Sequence, residues 1–228
     1  MEQYLDILTQ SPLFANMAES EILSVLQCLG AQTRAYKKGT FLFHCGDAAN
    51  AIGFVLDGCV TILKEDCWGN STILSQAAVG QLFGEVYACL LGEAMQVSVA
   101  ASADTQVLFL NVQKMLHTCS LACPFHTRLI QNLLSVIARK TLELTRKIEH
   151  LSKRTTREKL LSYLSAQAQE AGSSRFTIPF SRQQLADYLT VDRSAMSHEL
   201  CKLRDEGILS FHKNQFVFQN PLSNFSNL

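Results

Sequence analysis

The sequence predicts an α+β fold in three parts: an antiparallel β domain, one long helix, and a small C-terminal domain of helices followed by a β-hairpin. Three observations in the 228-residue chain support this order. Turn residues recur roughly every ten positions over residues 31–112, Gly and Pro are absent from residues 125–151, and two short capped helices precede a hairpin near the C-terminus. The changes in apolar period therefore mark the boundaries between the three parts.

The N-terminal part begins with helix-like sequence over residues 1–30, which Gly30 is placed to end. Short apolar runs then alternate with Gly, Asp and Asn as far as residue 112. Several short strands at such spacing are typical of an antiparallel sandwich or barrel. We therefore predict a jelly-roll-like β-roll, with Asp57-Gly58 as a hairpin turn inside it.

The middle part is a single predicted helix that begins at Pro124 and runs to about Leu151. Twenty-eight residues of helix span roughly 42 Å, which is more than one small domain can cover. Apolar residues recur along it at steps of three and four, which is typical of a coiled-coil seam. The predicted dimer seam consists of Ile130, Leu133, Ile137, Leu144, Ile148 and Leu151. The alternative is one wide core face within a single chain.

The C-terminal part contains the signals of two short helices and a hairpin. Ser181 can cap the first helix, with Gln184 completing a capping box, and Asp192 can cap the second. About three residues connect the two helices, as in a helix-turn-helix. The apolar runs 207–211 and 215–218 then flank three polar residues, which indicates a β-hairpin in the position of a wing.

Charge is divided unevenly between the halves of a chain whose formal net charge is zero. Residues 1–115 hold five Lys/Arg against eleven Asp/Glu, whereas residues 116–228 hold fifteen against nine. The basic second half favours contact with a polyanion. The sequence shows neither a signal peptide nor an apolar run long enough for a membrane span, so we expect a cytoplasmic protein with no membrane partner.

The second helix of the helix-turn-helix is predicted to enter the major groove of double-stranded DNA with its N-terminal end. Arginine is the commonest reader of guanine there, and cationic or hydroxyl side chains around it contact phosphates. The candidate base-reading residues are Arg193, Ser194, Ser197 and His198. The candidate phosphate contacts are Ser181, Arg182, Lys202 and Lys213.

Three stretches of sequence resemble the Crp/Fnr family of transcription regulators, and the resemblance covers nearly the whole chain. They are residues 80–85 (GQLFGE), residues 156–161 (TREKLL), and the helix-turn-helix residues 181–186 and 192–194. The resemblance implies an effector-sensing β-roll domain over residues 1–123, a dimerisation helix over 124–152 and a winged helix-turn-helix over 153–228. It also implies a homodimer on a palindromic site, with RNA polymerase and a small-molecule effector as partners.

The resemblance also indicates which kind of effector the sensor domain can bind. In cyclic-AMP receptors of this family the Gly-Glu pair is followed by an Arg-Ser pair that holds the cyclic phosphate. This chain has Met95 and Gln96 there, and no Lys or Arg lies between Lys64 and Lys114. A buried phosphate without a cationic partner is costly, which disfavours cyclic AMP and favours an uncharged or weakly acidic organic ligand. The candidate effector pocket consists of Gly84, Glu85, Met95, Gln96 and Leu142.

Two other functions stay open at the level of sequence. Two thiols and two imidazoles precede or begin the long helix, and such a set suits a metal, haem, an iron–sulfur cluster or a reversible disulfide. These candidates are His117, Cys119, Cys123 and His126. We favour the other interpretation, in which they are small reduced residues that fill a tight corner. The second function is a constitutive DNA binder with a vestigial sensor.

We expect no enzymatic activity, because the sequence has no nucleophile motif and no phosphate-binding loop. The predicted β region also holds only one histidine, His44, whereas metal-dependent enzymes on such a fold need several.

Overall fold

The computed structural model describes residues 2–65, 71–90, 92–116 and 124–219. The chain divides into two compact units, Met1–Arg139 and Lys140–Leu228, and each unit contains part of one long helix. Among the helices of the described residues, none has both the length and the apolar character that crossing a membrane requires.

The first unit contains a β-roll between helices, as the sequence predicts. Its helices are α1 (Leu5–Gln10), α2 (Glu19–Leu29), α3 (Glu85–Cys89), α4 (Val112–Leu116) and the first part of α5 (Pro124–Leu151). Its strands are β1 (Gln32–Tyr36), β2 (Phe41–Phe43), β3 (Ala51–Asp57), β4 (Cys59–Glu65), β5 (Ser71–Ala78), β6 (Leu82–Phe83), β7 (Ser98–Ala101) and β8 (Thr105–Asn111).

These strands form two four-stranded antiparallel sheets, in the orders β1-β8-β3-β6 and β2-β7-β4-β5. Apolar side chains from both sheets pack between them, including Val55 and Val107 from one sheet and Val60 and Val99 from the other. The outer face of the first sheet carries a second apolar row, and the helices cover it. The jelly-roll-like architecture predicted from the sequence is confirmed.

The predicted hairpin turn at Asp57-Gly58 is wrong. Strand β3 pairs with β6 and β8, whereas β4 pairs with β5 and β7, so the turn carries the chain from one sheet to the other. Gly58 has a φ of 80°, and a Cβ there would lie 2.4 Å from the carbonyl oxygen of Asp104. The glycine is required because the corner packs closely against the loop before β8, and a turn dipeptide alone does not distinguish a corner from a hairpin.

The first part of α5 is fixed to the N-terminal helices of its own unit. Leu129 and Leu133 are buried in the core on the outer face of the first sheet. The amide of Asn132 donates to the carbonyl oxygens of Leu13 (3.0 Å) and Ala15 (2.9 Å). These contacts bury one face of the helix and satisfy backbone acceptors at the end of a short turn.

Leu133 therefore does not belong to the dimer seam that the sequence predicts, since its side chain is already buried within the chain. Its neighbour Leu134 is 62% exposed, as are Leu144 (61%) and Ile148 (66%) further along the helix. Replacing Leu133 by Leu134 gives an apolar face at steps of four and three, which is the regular heptad spacing. Its residues are Ile130, Leu134, Ile137, Thr141, Leu144, Ile148 and Leu151.

The second unit contains the end of α5 and a helix-turn-helix with a three-stranded sheet. Its elements are α6 (Thr156–Ala171), β9 (Arg175–Thr177), α7 (Arg182–Leu189), α8 (Arg193–Asp205), β10 (Leu209–His212) and β11 (Gln215–Phe218). The sheet has the antiparallel order β10-β11-β9, so β9 extends the predicted wing hairpin. One apolar core, which includes Leu164, Leu185, Leu200 and Phe216, joins the three helices to this sheet.

His150, near the end of α5, is only 4% exposed. Its Nδ1 lies 2.8 Å from the hydroxyl of Ser162, and its ring meets the ring of Tyr163 edge-on at 5.7 Å. Burial lowers the pKa of His150 below its ordinary 6.5, an effect that the nearby Lys153 and Arg146 reinforce and Glu149 opposes. The native state therefore favours the neutral imidazole.

This depressed pKa predicts a loss of stability on acidification. Above the ordinary pKa both states hold a neutral ring, but as the pH falls below 6.5 the unfolded chain takes up a proton that the native state resists. We expect the melting temperature to fall between about pH 7 and pH 5, and His150→Asn to weaken this dependence. Thermal unfolding followed by circular dichroism measures it. The control is His198→Asn, at an exposed histidine, and equal pH dependence in all three proteins would contradict the assignment.

Candidate nucleic-acid interface

The two helices of the helix-turn-helix are each closed by a local cap. The hydroxyl of Ser181 accepts from the backbone N–H of Gln184 (3.3 Å), whose side-chain oxygen accepts in turn from the N–H of Ser181 (2.8 Å). Thr190 ends α7 with a left-handed φ of 52°, and the carboxylate of Asp192 accepts from the N–H of Ala195 at the start of α8. The short connection thus fixes the direction in which α8 leaves α7.

Helix α8 has a buried apolar side and an exposed polar side. Met196, Leu200 and Leu203 are buried in the core of the second unit. Arg193, Ser194 and His198 are exposed at the N-terminal end, while Ser197 is half-buried and donates its hydroxyl to the carbonyl oxygen of Arg193 (2.8 Å). The structure therefore brings the four candidate base-reading residues together on the first turns of one helix, with Ser197 already engaged by its own backbone.

The candidate phosphate contacts lie in different environments. Ser181 serves as a helix cap, and Lys202 pairs with Glu199 at 2.8 Å on the same helix. Lys213 is exposed in the wing turn with a φ of 53°. Arg182 is half-buried, with its guanidinium carbon 4.8 Å from the ring centre of Phe211. Of the four, Ser181, Lys202 and Lys213 are exposed, and Arg182 alone is half-buried.

An ion pair that the sequence analysis missed ties α6 to the end of α8. The guanidinium of Arg157 donates to both carboxylate oxygens of Glu206, at 2.9 and 2.5 Å. The hydrogen bond from Arg157 holds the pKa of the Glu206 carboxyl below its ordinary value. In the sequence, Arg157 belongs to a basic segment that resembles a solvated linker. No local pattern connects it to Glu206, which lies 49 positions away.

The candidate effector residues of the first unit divide by burial. Glu85 (6% exposed) is the first residue of α3, after Gly84 with a φ of 74°, and Met95 (2%) packs between the two sheets. Gln96 is exposed. Leu142 lies in the second unit and is 52% exposed. Burial raises the pKa of the Cys89 thiol, and the nearby Glu85 adds to that shift.

An open cavity of about 290 Å³ lies elsewhere in the first unit. The rings of Tyr36, Phe43 and Phe109 line it, together with the cationic side chains of Arg34 and Lys114. No carboxylate is found among the described residues that line it, and it includes none of the candidate effector residues. No local sequence pattern indicates this cavity, because its lining residues come mainly from two helices and four strands.

Most of the candidate redox or metal segment, His117, Cys119 and Cys123, lies outside the described residues. His126 is 4% exposed, and its Nδ1 has no hydrogen-bond partner within the described part of the chain. Within those same ranges, no three His, Cys, Asp or Glu side chains are arranged to hold a metal ion.

Comparison with known proteins decides the family. A profile described as the cyclic nucleotide-binding domain matches residues 33–120, which contain the β-roll, and a profile described as the Crp-like helix-turn-helix domain matches residues 158–221. The chain belongs to the Crp/Fnr family. Its members in these comparisons are transcription regulators and not enzymes, and the chain is accordingly a DNA-binding transcription regulator with a cyclic-nucleotide-binding-like sensor.

Individual relatives are similar over most of their length. The cyclic AMP receptor protein of Thermus thermophilus is 27% identical over 199 residues, which are 87% of this chain and 88% of the relative. The c-di-GMP responsive global regulator CLP of Xanthomonas campestris has a TM-score of 0.54 at 20% identity, over 90% of this chain and 100% of that one. DNR of Pseudomonas aeruginosa has a TM-score of 0.51 at 20% identity, over 99% of both chains. The two solved structures show the fold alone.

Proposed function

We propose that this Crp/Fnr-family regulator acts as a homodimer on a palindromic DNA site and that a small organic effector controls it. The observation that carries the proposal is the exposed N-terminal end of α8, where Arg193, Ser194 and His198 lie together in a unit with an excess of cations. RNA polymerase is the partner we expect at the promoter, because a transcription regulator acts through it.

Arg193 is the central base-reading candidate. It is the first residue of α8, so its side chain extends from the end of the helix that enters a major groove in this class of fold. A guanidinium matches the two acceptors of guanine and distinguishes that base from the others. Lys213 and Arg182 instead suit phosphates, which position the protein on DNA without reading its sequence.

The base-reading role is tested with Arg193→Ala. We expect the ratio of operator affinity to random-duplex affinity to fall about tenfold or more in the variant. Salt-sensitive binding to any DNA should remain. Fluorescence anisotropy with both duplexes at several salt concentrations measures the ratio. Arg175→Ala, at an exposed arginine of β9 in the same unit, is the matched control and should leave the ratio unchanged. An unaltered ratio in Arg193→Ala would remove Arg193 from base reading.

A homodimer accounts for the exposed apolar face of α5. Leu134, Leu144 and Ile148 are each more than half exposed in the single chain, and they lie at heptad spacing with Ile137 and Thr141. A second copy of the same helix buries such a face by packing side chains into matching holes. A dimer also places two recognition helices on one duplex, where two half-sites about one helical turn apart form a palindrome.

Charge on this face should separate the protomers. We expect Leu144→Glu together with Ile148→Glu to yield a monomer, because like charges would face each other at the centre of the seam. Size-exclusion chromatography with light scattering gives the mass directly. Leu142→Glu is the control, since Leu142 is similarly exposed but lies off the heptad positions. The seam is disproved if the double variant keeps the mass of the wild-type protein or if the control dissociates equally.

The effector we propose is a small organic molecule, uncharged or weakly acidic. The relative from Thermus thermophilus is named for cyclic AMP, but this chain has Met95 and Gln96 where the family's phosphate-binding Arg-Ser pair is expected. Met95 is also buried, so the phosphate would meet apolar surface there. The open cavity beside Tyr36 and Phe109 is lined by aromatic rings and by the cations of Arg34 and Lys114, a combination that favours a weakly acidic molecule over an uncharged one.

Cyclic AMP should therefore neither stabilise the protein nor strengthen its binding to DNA. A ligand that binds the native state alone raises the melting temperature, by an amount that grows with the logarithm of its concentration above Kd, so thermal unfolding is a direct test. We expect no shift with cyclic AMP at about 1 mM, the same result as with the control nucleotide 5′-AMP. A shift of several degrees specific to cyclic AMP would refute this part of the proposal.

Two alternatives differ only in the sensor. In the first, the Cys119–Cys123 segment holds a metal, haem or cluster or forms a disulfide, and an absorption spectrum with metal analysis on anaerobically purified protein identifies it. In the second, the sensor is vestigial, and DNA affinity is insensitive to metabolites and redox state. With an effector, the expected mechanism is a population shift between arrangements of the DNA-binding units.

A further inference from the structure

Arg182 connects the helix-turn-helix to the wing through two aromatic rings. It is the first residue of α7, and its guanidinium carbon lies 4.8 Å from the ring centre of Phe211 on β10 and 5.0 Å from that of Phe216 on β11. Phe211 and Phe216 face each other across the hairpin, with ring centres 6.0 Å apart. One planar cation thus contacts both strands of the wing.

The rings that Arg182 contacts belong to the core of the small sheet. Phe216 is 1% exposed and stacks on Phe176 of β9, with ring centres 5.9 Å apart and planes at 15°. Phe176 in turn packs against Phe218 at 5.8 Å. The guanidinium therefore covers the end of a continuous aromatic stack, and a cation over an aromatic face is held more strongly where water is excluded.

Part of the guanidinium is buried, and no carboxylate within the described residues forms an ion pair with it. Three other arginines of the unit pair with carboxylates: Arg146 with Glu170, Arg157 with Glu206 and Arg204 with Asp205. The Nη2 atom of Arg182, in contrast, is buried without a hydrogen-bond partner in the described part of the chain. A buried donor without an acceptor destabilises the fold, so the ring contacts must compensate for part of that cost.

We propose that Arg182 is a positioning residue that fixes the wing against α7 and that a guanidinium N–H other than those of the buried Nη2 donates to a DNA phosphate. The first half depends only on the fold, and the second half rests on the proposed function. The two halves require the flat guanidinium, which stacks on ring faces and donates from its edge at the same time. A lysine carries the same charge, but its compact ammonium group does not stack on two rings.

Two substitutions of Arg182 separate the effect of its charge from the effect of its planar shape. Arg182→Lys keeps the charge and removes the planar contact, whereas Arg182→Gln removes both. Arg175→Lys is the matched control, since Arg175 is an exposed arginine on β9 of the same sheet. Amide hydrogen exchange of β10 and β11 reports the order of the wing without DNA. The exchange of α6, which has its own buried residues Leu160 and Leu164, shows whether the unit as a whole remains folded.

We expect the amides of β10 and β11 to exchange about tenfold faster in Arg182→Lys and Arg182→Gln, with α6 unchanged and with no change in Arg175→Lys. For DNA, we expect affinity to fall about tenfold in Arg182→Lys with nearly the same dependence on salt. In Arg182→Gln affinity should fall further. The plot of log affinity against log salt concentration should become less steep by about one, which is the contribution of one lost phosphate contact.

Other outcomes overturn the proposal in identifiable ways. If wing exchange is unchanged in both Arg182 variants, Arg182 does not fix the wing, whatever happens to DNA affinity. If Arg182→Lys binds DNA as the wild-type protein does, only the charge matters and the planar contact has no role in binding. If the wild-type protein fails to bind duplex DNA at all, the proposed function is wrong, while the exchange experiment still decides whether Arg182 positions the wing.

Discussion

The structure depends on a constraint in α5, a 28-residue helix with more apolar surface than one chain buries. Leu129 and Leu133 pack into the core of the first unit, and Asn132 fixes the same side of the helix to backbone carbonyls. Leu134, Leu144 and Ile148 remain exposed on another side. Exposed leucine and isoleucine at heptad spacing are costly in water, and in the homodimer that we propose a second copy of this helix covers them.

At its other end the same helix enters the core of the DNA-binding unit. His150 is buried against Ser162 and Tyr163, and the ammonium group of Lys147 lies 5.2 Å from the ring centre of Tyr188 on α7. The end of α5 is therefore packed directly against α6 and the first helix of the helix-turn-helix. In the homodimer that we propose, an effector would regulate the protein by favouring one arrangement of the paired helices.

Sequence patterns predicted the order of the parts because each pattern has one physical cause. Ser181 and Asp192 are helix caps in sequence and in structure, since capping depends on residues three positions apart.

Features that depend on contacts between residues distant in sequence could not be predicted from local patterns. Leu133 and Leu134 are identical in type, and only packing against the β-roll determines which one is buried. Asp57-Gly58 has the composition of a hairpin turn but joins two sheets, because pairing is decided by strands far away in sequence. The stacked position of Arg182 depends on rings of β10 and β11, so no local sequence pattern predicts it.

In the homodimer that we propose, two copies of this chain read DNA symmetrically through the N-terminal end of α8. The sharpest test of this symmetry is selection of bound sequences from a pool of random duplexes by the purified wild-type protein. We expect an inverted repeat, with two half-sites whose centres lie about one helical turn apart, at about 10 base pairs or slightly more. Enrichment of a single unrepeated motif, or of no motif above the salt-sensitive binding common to all DNA, would contradict it.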